Sequence, residues 1–241
     1  MKSVFKNSFI LVFSVLFLSC GIVENLFIKK APSFIENFDN QKEFQSNWIN
    51  NSWKSPASYS LENGKLKITT RPNSKDRVKI RSKRNFTTGS YTWKIFIPKF
   101  KPYEQVSIGA FLYHNEVKEF EFDFEIGYGQ KIDREKINLK ETEAIVFCVS
   151  QFSPSNSSHF GVKMGAYSEF KMELLDVDGF YLVKWYINNQ KVKELQTKVK
   201  STIKFKAHCS LENLHFMGDV KTSSENYVLF DRFSFLNIDK K

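Results

Sequence analysis

The sequence predicts an all-β protein whose strands form a two-sheet antiparallel sandwich. Short apolar segments recur along the chain between turn residues, and none has the long 3.6-residue period of a helix. Asn-Gly and Asp-Gly pairs separate several of these segments, as in tight β-hairpins. Between residues 119 and 125 acids and phenylalanines alternate strictly, which is the period of a strand with two different faces. No internal repeat or linker interrupts the pattern, so one sandwich domain is expected.

The predicted elements follow one another from about residue 61 almost to the end of the chain. The polar segment 130–142 is compatible with a loop or with a short helix. Hairpin turns are expected at Asn63-Gly64, Asp178-Gly179 and Asn188-Asn189. A strand is expected after the Asn63-Gly64 turn, within residues 61–68. Further strands are expected over residues 78–81, 90–98, 106–113, 119–126, 144–150, 161–166, 170–176, 181–187, 191–197 and 227–237.

The alternating stretch 119–125 has two very different faces. Phe120, Phe122 and Phe124 are predicted to point towards the core. The opposite face carries a row of four carboxyl groups, on Glu119, Glu121, Asp123 and Glu125. Like charges about 7 Å apart along a strand repel one another and raise some of their pKa values. An ordinary exposed strand carries mixed polar residues, so this row indicates a chemical role.

The composition is that of a folded, basic protein. Hydrophobic residues make up 41% of the 241 residues and aromatic residues 16%, which is enough for a core and excludes global disorder. The net charge is +10, from 36 Lys and Arg against 26 Asp and Glu. The basic residues are scattered and no nucleic-acid-binding motif is present, so nucleic acid is not an expected partner. Binding of an anionic polymer, such as a sulfated glycan, stays open if Lys and Arg cluster around a groove.

The first twenty residues read as an export signal. Lys2 and Lys6 precede an apolar segment over 9–18, which is shorter than the ~20 residues that span a bilayer. Leu18-Ser19-Cys20-Gly21 resembles a bacterial lipobox, although Phe17 stands where Leu is usual. The resemblance implies that Cys20 is acylated and anchors an exported protein to a bacterial membrane. An ordinary secretory signal is the alternative.

The predicted domain organisation follows from this interpretation. Residues 1–20 are the lipoprotein signal peptide, 21–33 a short tether, and 34–241 the sandwich domain.

The row of acids carries a resemblance to a known enzyme family. Glu121-Phe122-Asp123-Phe124-Glu125 fits the E-x-D-x-E strand of glycoside hydrolase family 16, in the unbulged form of its lichenase- and laminarinase-like members. The resemblance extends over roughly residues 35–238 and implies a β-jelly roll of the concanavalin A-like superfamily. It also implies cleavage of a β-linked polysaccharide, with Glu121 as nucleophile, Asp123 orienting it, and Glu125 as acid/base.

Other segments agree with the family in order and spacing. Arg81 lies in a segment similar to the arginine strand of the family, which implies that it holds the substrate or the nucleophile; an ordinary surface arginine is the alternative. Phe111 and Tyr113 stand where the family has aromatic residues in its cleft. Motif-like segments also occur at Asn63-Gly64-Lys65-Leu66, at Thr88-Gly89-Ser90-Tyr91 and at Lys184-Trp185-Tyr186-Ile187-Asn188-Asn189.

Three positions depart from the family pattern. Glu119 precedes the nucleophile where Trp or Gly is common, and Lys79 stands where an acid is common. The stretch 206–209 lacks the Trp that forms a sugar platform in many members. Because stacking on aromatic faces is a large part of sugar binding, altered subsites are expected.

Few residues offer a metal site or a disulfide. Cys148 and Cys209 could pair in an exported protein, but sequence does not show whether they lie close together. The four His residues show no ligand spacing. Some relatives bind a structural calcium through an Asp of the last strand, which here is Asp231. No cofactor is expected to be required.

The four tryptophans divide into two groups. Trp93 and Trp185 are expected in the core, as large aromatic residues in strands usually are. Trp48 and Trp53 lie in the segment 45–58, which could form the rim of a cleft or pack inside.

The predicted function is hydrolysis of a β-linked polysaccharide, with retention, by a monomeric lipid-anchored enzyme. The alternative is a surface lipoprotein that binds carbohydrate, or adheres, without turnover. The intact row of acids favours the enzyme, and the altered cleft positions favour the binding module.

Overall fold

The computed structural model describes residues 33–114, 120–152 and 154–238. Helix α1 covers Gln41–Asn47, helix α2 covers Lys131–Lys136, and a 3-10 turn covers His215–Met217. In these ranges no helix is long and apolar enough to cross a membrane. The strands are β1 Ser33–Glu36, β2 Trp48–Asn50, β3 Tyr59–Leu61, β4 Leu66–Thr70, β5 Arg77–Ser82, β6 Gly89–Ile97, β7 Ser107–His114, β8 Phe120–Gly127, β9 Glu143–Ser150, β10 Asn156–Lys163, β11 Ala166–Val177, β12 Phe180–Ile187, β13 Gln190–Lys200, β14 Lys206–Glu212 and β15 Asn226–Leu236.

The strands form two antiparallel sheets. One has the order β13-β12-β11-β6-β15-β4-β3, with β1 paired to the end of β15. The other has the order β10-β9-β8-β7-β14-β5-β2. We call them the outer sheet and the cleft sheet. The predicted all-β sandwich is confirmed, and the acidic stretch lies on β8, near the middle of the cleft sheet.

The alternation of side chains explains the stacking of the two sheets. Strand β6 alternates buried and half-buried residues along its whole length. On β8, Phe122 and Phe124 are fully buried and meet aromatic residues of the outer sheet. The rings of Phe124 and Phe170 lie 5.3 Å apart, and those of Phe122 and Trp185 lie 6.3 Å apart. This aromatic layer fixes which face of β8 turns outwards, because a one-residue slip would bury its acids.

The three predicted hairpins are present. In each, both turn residues have positive φ, as two-residue turns of the I′ type require. Asn63-Gly64 joins β3 to β4, Asp178-Gly179 joins β11 to β12, and Asn188-Asn189 joins β12 to β13. The polar segment 130–142 contains the short helix α2, and the Arg134 guanidinium is buried under it. Its N–H groups donate to the carbonyls of Tyr128, Lys140 and Glu143 at 2.6–2.9 Å.

One expectation needs correction, and one question that the sequence left open is answered. The strand predicted over 161–166 is wrong, because the chain turns at Gly165, with φ +73°, between β10 and β11. Cys148 and Cys209 are both free and buried. Phe124 and Ala110 lie between them in register, on β8 and β7. Three strand spacings separate the two thiols by roughly 14 Å, too far for a disulfide.

The tryptophans are distributed as the sequence suggested. Trp93 and Trp185 are fully buried, and Trp48 is also buried, on β2. Trp53 is 52% exposed. Of the four tryptophans, only Trp53 is therefore in a position to contact a ligand.

Some predictions concern residues outside the described ranges. These are the signal peptide, acylation of Cys20, almost all of the tether, and the exposure of Glu119.

Candidate active site

The outer face of the cleft sheet forms the floor of an open groove of about 660 Å³. The groove lies over β8, β7, β14 and β5, and the loop after β2 forms one wall. Its lining includes Trp53, Arg77, Lys79, Phe111, Tyr113, Glu121, Glu125, Gln151, His208, Glu212 and Phe216.

The three predicted catalytic acids share the groove face of β8. Glu121 and Glu125 are half-buried and line the groove, and Asp123 is fully buried between them. Across the strand pair, Glu121 faces Tyr113, Asp123 faces Phe111, and Glu125 faces Gly109 on β7. The structure therefore brings these acids together on one floor, as the alternation predicted.

A glycine leaves space beside Glu125. A Cβ atom at Gly109 would lie 2.4 Å from the Ser210 hydroxyl oxygen, so a larger residue there would displace this hydroxyl. The absent side chain keeps the floor low between Glu125 and the basic residues of β5.

Asp123 is the most deeply buried acid of the row. Its Oδ2 accepts a hydrogen bond of 3.0 Å from the Gln151 amide, and its carbonyl accepts one of 3.2 Å from the Trp185 indole. Burial raises the pKa of Asp123 well above its usual range, and the nearby charges of Glu121 and Glu125 raise it further. Oδ1 has no other partner among the described residues, so Glu121 is the group that can share the Asp123 proton.

Glu125 also holds its proton tightly. Burial, and then the negative charge of Glu212, raise the pKa of Glu125 to about 8. A hydrogen bond from the Ser107 hydroxyl to Oε2 acts in the opposite direction. Glu212 in turn lies 3.7 Å from Arg77 and 3.8 Å from Lys79. Glu125 is thus protonated at neutral pH, and the nearby carboxylate of Glu212 helps to keep it so.

The predicted aromatic contacts are only partly accessible. Phe111 lines the groove but is 4% exposed, because the His208 imidazole stacks on it at 4.5 Å with an angle of 7°. Tyr113 is half-buried and also lines the groove. On the opposite wall, Trp53 lies under the Lys54 ammonium at 4.0 Å and the Arg77 guanidinium at 5.1 Å. His208 lies in the stretch 206–209, where the sequence lacks the Trp that the resemblance led us to look for.

Arg81 lies beside the main groove. It lines an adjoining cavity of about 290 Å³, together with Tyr113, Lys204, Lys206 and His208. Its position follows from pairing, since Arg81 on β5 is in register with His208 on β14. A direct contact with the acids of β8 is not formed, because β14 and β7 lie between.

Asp231 is not placed to bind calcium. It lies on the outer sheet, where its two carboxylate oxygens accept ion pairs from Lys65 at 2.8 Å and Lys94 at 2.7 Å. Two lysines already neutralise the carboxylate, and a cation there would meet their positive charges. Within the described ranges, no three His, Cys, Asp or Glu residues form a group that could hold a metal ion.

Sequence reasoning missed three polar residues of the site. Ser107, Gln151 and Glu212 bond to or act on the acids of β8, but they lie on or next to three other strands. Alternation along each strand could show which face of the sheet these three side chains occupy. It could not show that they lie next to the acids of β8, because that depends on the order of the strands in the sheet.

No protein-family model matches the chain, and no curated protein matches it. Solved structures do match. The β-glucanase of Bacillus licheniformis has a TM-score of 0.63 at 14% identity, covering 86% of this chain and 98% of that chain. The laminarinase of Flavobacterium sp. has a TM-score of 0.65 at 12% identity, covering 86% and 100%. The laminarinase catalytic domain of Thermotoga maritima has a TM-score of 0.65 at 13% identity, covering 86% and 98%. The chain therefore has the jelly-roll fold that its resemblance to glycoside hydrolase family 16 implied.

Proposed function

We propose that this protein is a glycoside hydrolase that cleaves a β-linked polysaccharide by a retaining double displacement. The observation that carries the proposal is the arrangement on β8. Glu121 and Glu125 both face an open groove, on either side of the buried Asp123. Retaining glycosidases need two carboxyl groups of this kind, one ionised and one protonated, on either side of the scissile bond.

Glu125 has the properties of the general acid. With its pKa at about 8, it carries a proton at neutral pH and can donate it to the oxygen of the leaving sugar. The Ser107 hydroxyl bonds to one of its oxygens and holds the carboxyl group in place. The negative charge of Glu212 helps to keep the proton on Glu125 until the bond breaks.

Glu121 then acts as the nucleophile. Asp123 is buried and keeps its own proton, so it can donate a hydrogen bond to Glu121 and leave that carboxylate ionised. A carboxylate in this position attacks the anomeric carbon as the glycosidic bond breaks. The electron pair of that bond goes to the leaving oxygen, which takes the proton of Glu125.

The second step restores the enzyme. Water attacks the anomeric carbon, Glu125 accepts one of its protons, and the ester bond to Glu121 breaks. Two inversions at the same carbon give net retention. Both steps balance with these carboxyl groups and one water molecule.

The structural neighbours support β-glucans as the first substrates to test, because their names are those of glucan-cleaving enzymes. The exposed Trp53 and the half-buried Tyr113 can contact sugar rings in the groove. Export and lipid anchoring through Cys20 would place such an enzyme where it meets polysaccharides outside the cell.

The alternative is carbohydrate binding without turnover. One observation favours it, because His208 covers the face of Phe111 that a sugar ring could otherwise use. A binding module would keep its affinity in variants that lack the β8 carboxylates.

The test is release of reducing sugar from a panel of β-linked polysaccharides by the domain 34–241. Glu121→Gln and Glu125→Gln are compared with Glu173→Gln, a matched change on the outer sheet. We expect both β8 variants to lose activity and the control to keep it, and the first product to have the anomeric configuration of the substrate by NMR. Full activity in either β8 variant would refute the assignment. Binding without any release by the folded wild type would favour the module.

A further inference from the structure

The groove is flanked by basic side chains. The adjoining cavity of about 290 Å³ is lined by Arg81, Lys204 and Lys206, and among the described residues no acid lines it. A cavity of about 250 Å³ next to Arg77, on the other side, is lined by Lys54, Lys75 and Lys221, again with no acid from the described ranges. The first cavity shares Tyr113 and His208 with the main groove, and the second shares Arg77 and Leu214. Positive charge is therefore concentrated around the groove, although it is scattered in the sequence.

Among the described residues, few acids neutralise the cations Arg77, Lys79 and Arg81. Arg77 and Lys79 share the single carboxylate of Glu212, at 3.7 and 3.8 Å. Arg81 forms no ion pair with any described residue, although it is only half-exposed. On the outer sheet, by contrast, two lysines converge on Asp231 within 2.8 Å. Cations held near a concave surface without partners favour an anionic ligand.

The pKa of His208 also responds to the positive charges around the groove. It is buried at the boundary between the main groove and the Arg81 cavity. Burial lowers the pKa of His208 to about 3, a hydrogen bond to the Lys206 carbonyl opposes this, and the charges of Lys79 and Arg81 lower it further. The imidazole is neutral, so it adds no positive charge and does not repel the neighbouring cations.

Acidic and basic side chains occupy different parts of this surface. The carboxylates Glu121 and Glu212 line the main groove, where cleavage is proposed, and neither of them lines the two adjoining cavities. An anionic group there would meet these acids, whereas one on a neighbouring sugar would meet cations. A neutral glucan has no group that needs Arg81 or Lys204. Guanidinium groups bind sulfate and carboxylate oxygens through paired N–H donors, and lysines add point charges.

We propose that the groove takes a β-linked polysaccharide that bears sulfate esters or carboxylates, and that Arg81 and Lys204 bind one such group beside the cleavage point. This inference rests on the proposed function for the reaction, but its binding step can be measured without turnover. The shared chemistry is an anionic oxygen group on a sugar next to the one that is cleaved.

The first experiment measures binding by affinity electrophoresis with three kinds of polymer. They are a sulfated galactan with its chemically desulfated form, a uronic acid polymer with its carboxyl-reduced form, and neutral laminarin. We expect at least tenfold tighter binding to one anionic polymer than to its neutralised form, and the pair that responds identifies sulfate or carboxylate. Equal binding to an anionic polymer and its neutralised form in both pairs would overturn the inference.

The second experiment assigns the residues. Arg81→Gln/Lys204→Gln is compared with Lys198→Gln/Lys200→Gln, which removes two charges from exposed positions of β13. We expect the first variant to lose at least tenfold in affinity and the second to bind like the wild type. Equal losses would mean general charge attraction and would overturn the inference. Because Lys204 is exposed, Lys204→Gln alone remains a test if the double variant does not fold.

The outcomes separate the two proposals. Hydrolysis of laminarin by the wild type, together with equal binding of each anionic polymer and its neutralised form, would support the glycosidase and refute the anionic substrate. Charge-dependent binding without sugar release would keep the anionic ligand and refute catalysis. A DNA duplex that displaces the sulfated polymer at equal charge concentration would show that the cavity does not recognise a glycan.

Discussion

The outward faces of the two sheets treat their carboxylates in opposite ways. On the outer sheet, Asp231 accepts ion pairs from Lys65 and Lys94. Partial burial opposes its ionisation, but the hydrogen bonds from the lysines outweigh burial and lower the pKa of Asp231. On the cleft sheet, Asp123 is buried between Glu121 and Glu125, and its pKa is raised well above the usual range. The same residue type at mid-strand is neutralised by partners on one face and by a proton on the other.

This difference separates a structural carboxylate from a reactive one. The charge of Asp231 is balanced by its ion pairs with Lys65 and Lys94. The acids of β8 repel one another, and burial makes their ionisation costly. Such an arrangement lowers stability, and active sites accept this cost because catalysis needs shifted pKa values. Groups with strongly raised pKa values therefore point to functional sites.

The largest expected effect comes from replacing the two aspartates, Asp123 and Asp231, separately with Asn. We expect Asp123→Asn to lower kcat on the order of 10²-fold or more, because an amide cannot exchange a proton with Glu121 as its charge changes. The Asn side chain can still accept the bond from Gln151, so the domain should fold. We expect Asp231→Asn to keep full kcat. Steady-state kinetics on the substrate found in the panel, with circular dichroism for folding, check both.

The control is the effect of Asp231→Asn on stability. Asp231→Asn should cost at most about 1 kcal/mol of unfolding free energy, because its lysine partners are partly exposed. If Asp123→Asn retained wild-type kcat, the contrast between the two faces would have no functional meaning.

The local part of this contrast could be predicted from the sequence. Strict alternation on 119–125 placed the phenylalanines inside and the acids outside, because side-chain direction in a strand has a period of two. Asn63-Gly64 placed a hairpin, because both turn residues need positive φ. Phe111 and Tyr113 were correctly predicted to face the groove.

The neighbours of those residues could not be predicted. Glu212 acts on Glu125 only because β14 lies next to β7, and alternation within one strand does not reveal strand order. Likewise, His208 covers Phe111 through that same pairing. Asp231 looked like a cation ligand in sequence, yet its two lysines come from the turn just before β4 and from β6. Charge balance is therefore a property of the tertiary structure, and both the calcium expectation and the scattered basic residues had to be reinterpreted.

The second prediction uses the pH dependence of kcat/KM. As general acid, Glu125 must be protonated, so activity should fall as pH rises through its pKa of about 8. Glu212→Gln removes a negative charge, which lowers the pKa of Glu125 and moves this alkaline limb to lower pH. Lys79→Met removes a positive charge and should move it to higher pH. Each shift is expected to be on the order of one pH unit.

The two variants control for each other, because their alkaline limbs should move in opposite directions. A general loss of substrate binding would change the height of both profiles without separating their limbs. Limbs that move together, or that stay at the wild-type position, would mean that Glu125 is not the group that titrates.

The third prediction concerns stability against pH, where the two faces should differ in sign. The folded-state pKa of Glu125, about 8, lies above the ordinary value of 4.5. Its contribution to stability is therefore full below pH 4.5 and is lost as pH rises towards 8. The pKa of Asp231 is lowered, so its contribution is present above its ordinary value of 3.8 and is lost on acidification.

Thermal unfolding of two variants measures these contributions. Glu125→Gln should gain in Tm relative to wild type as pH rises from 4.5 to 8. Asp231→Asn should be less stable than wild type near pH 7, and the difference should vanish as pH falls below 3.8. Differences of the same sign in both variants would contradict the contrast between the faces.

The smallest expected effect tests whether the outer face is passive. Glu173 accepts hydrogen bonds from Lys171 at 2.9 Å and from the Tyr186 hydroxyl at 2.8 Å, and all three side chains are partly exposed. A double-mutant cycle with Glu173→Gln and Lys171→Met should give a coupling of about 0.5 kcal/mol, as exposed pairs do. Neither change should alter kcat, since the core separates this face from β8. A clear change in kcat would mean that the outer sheet positions the acids of the cleft, and the two faces could no longer be treated as independent.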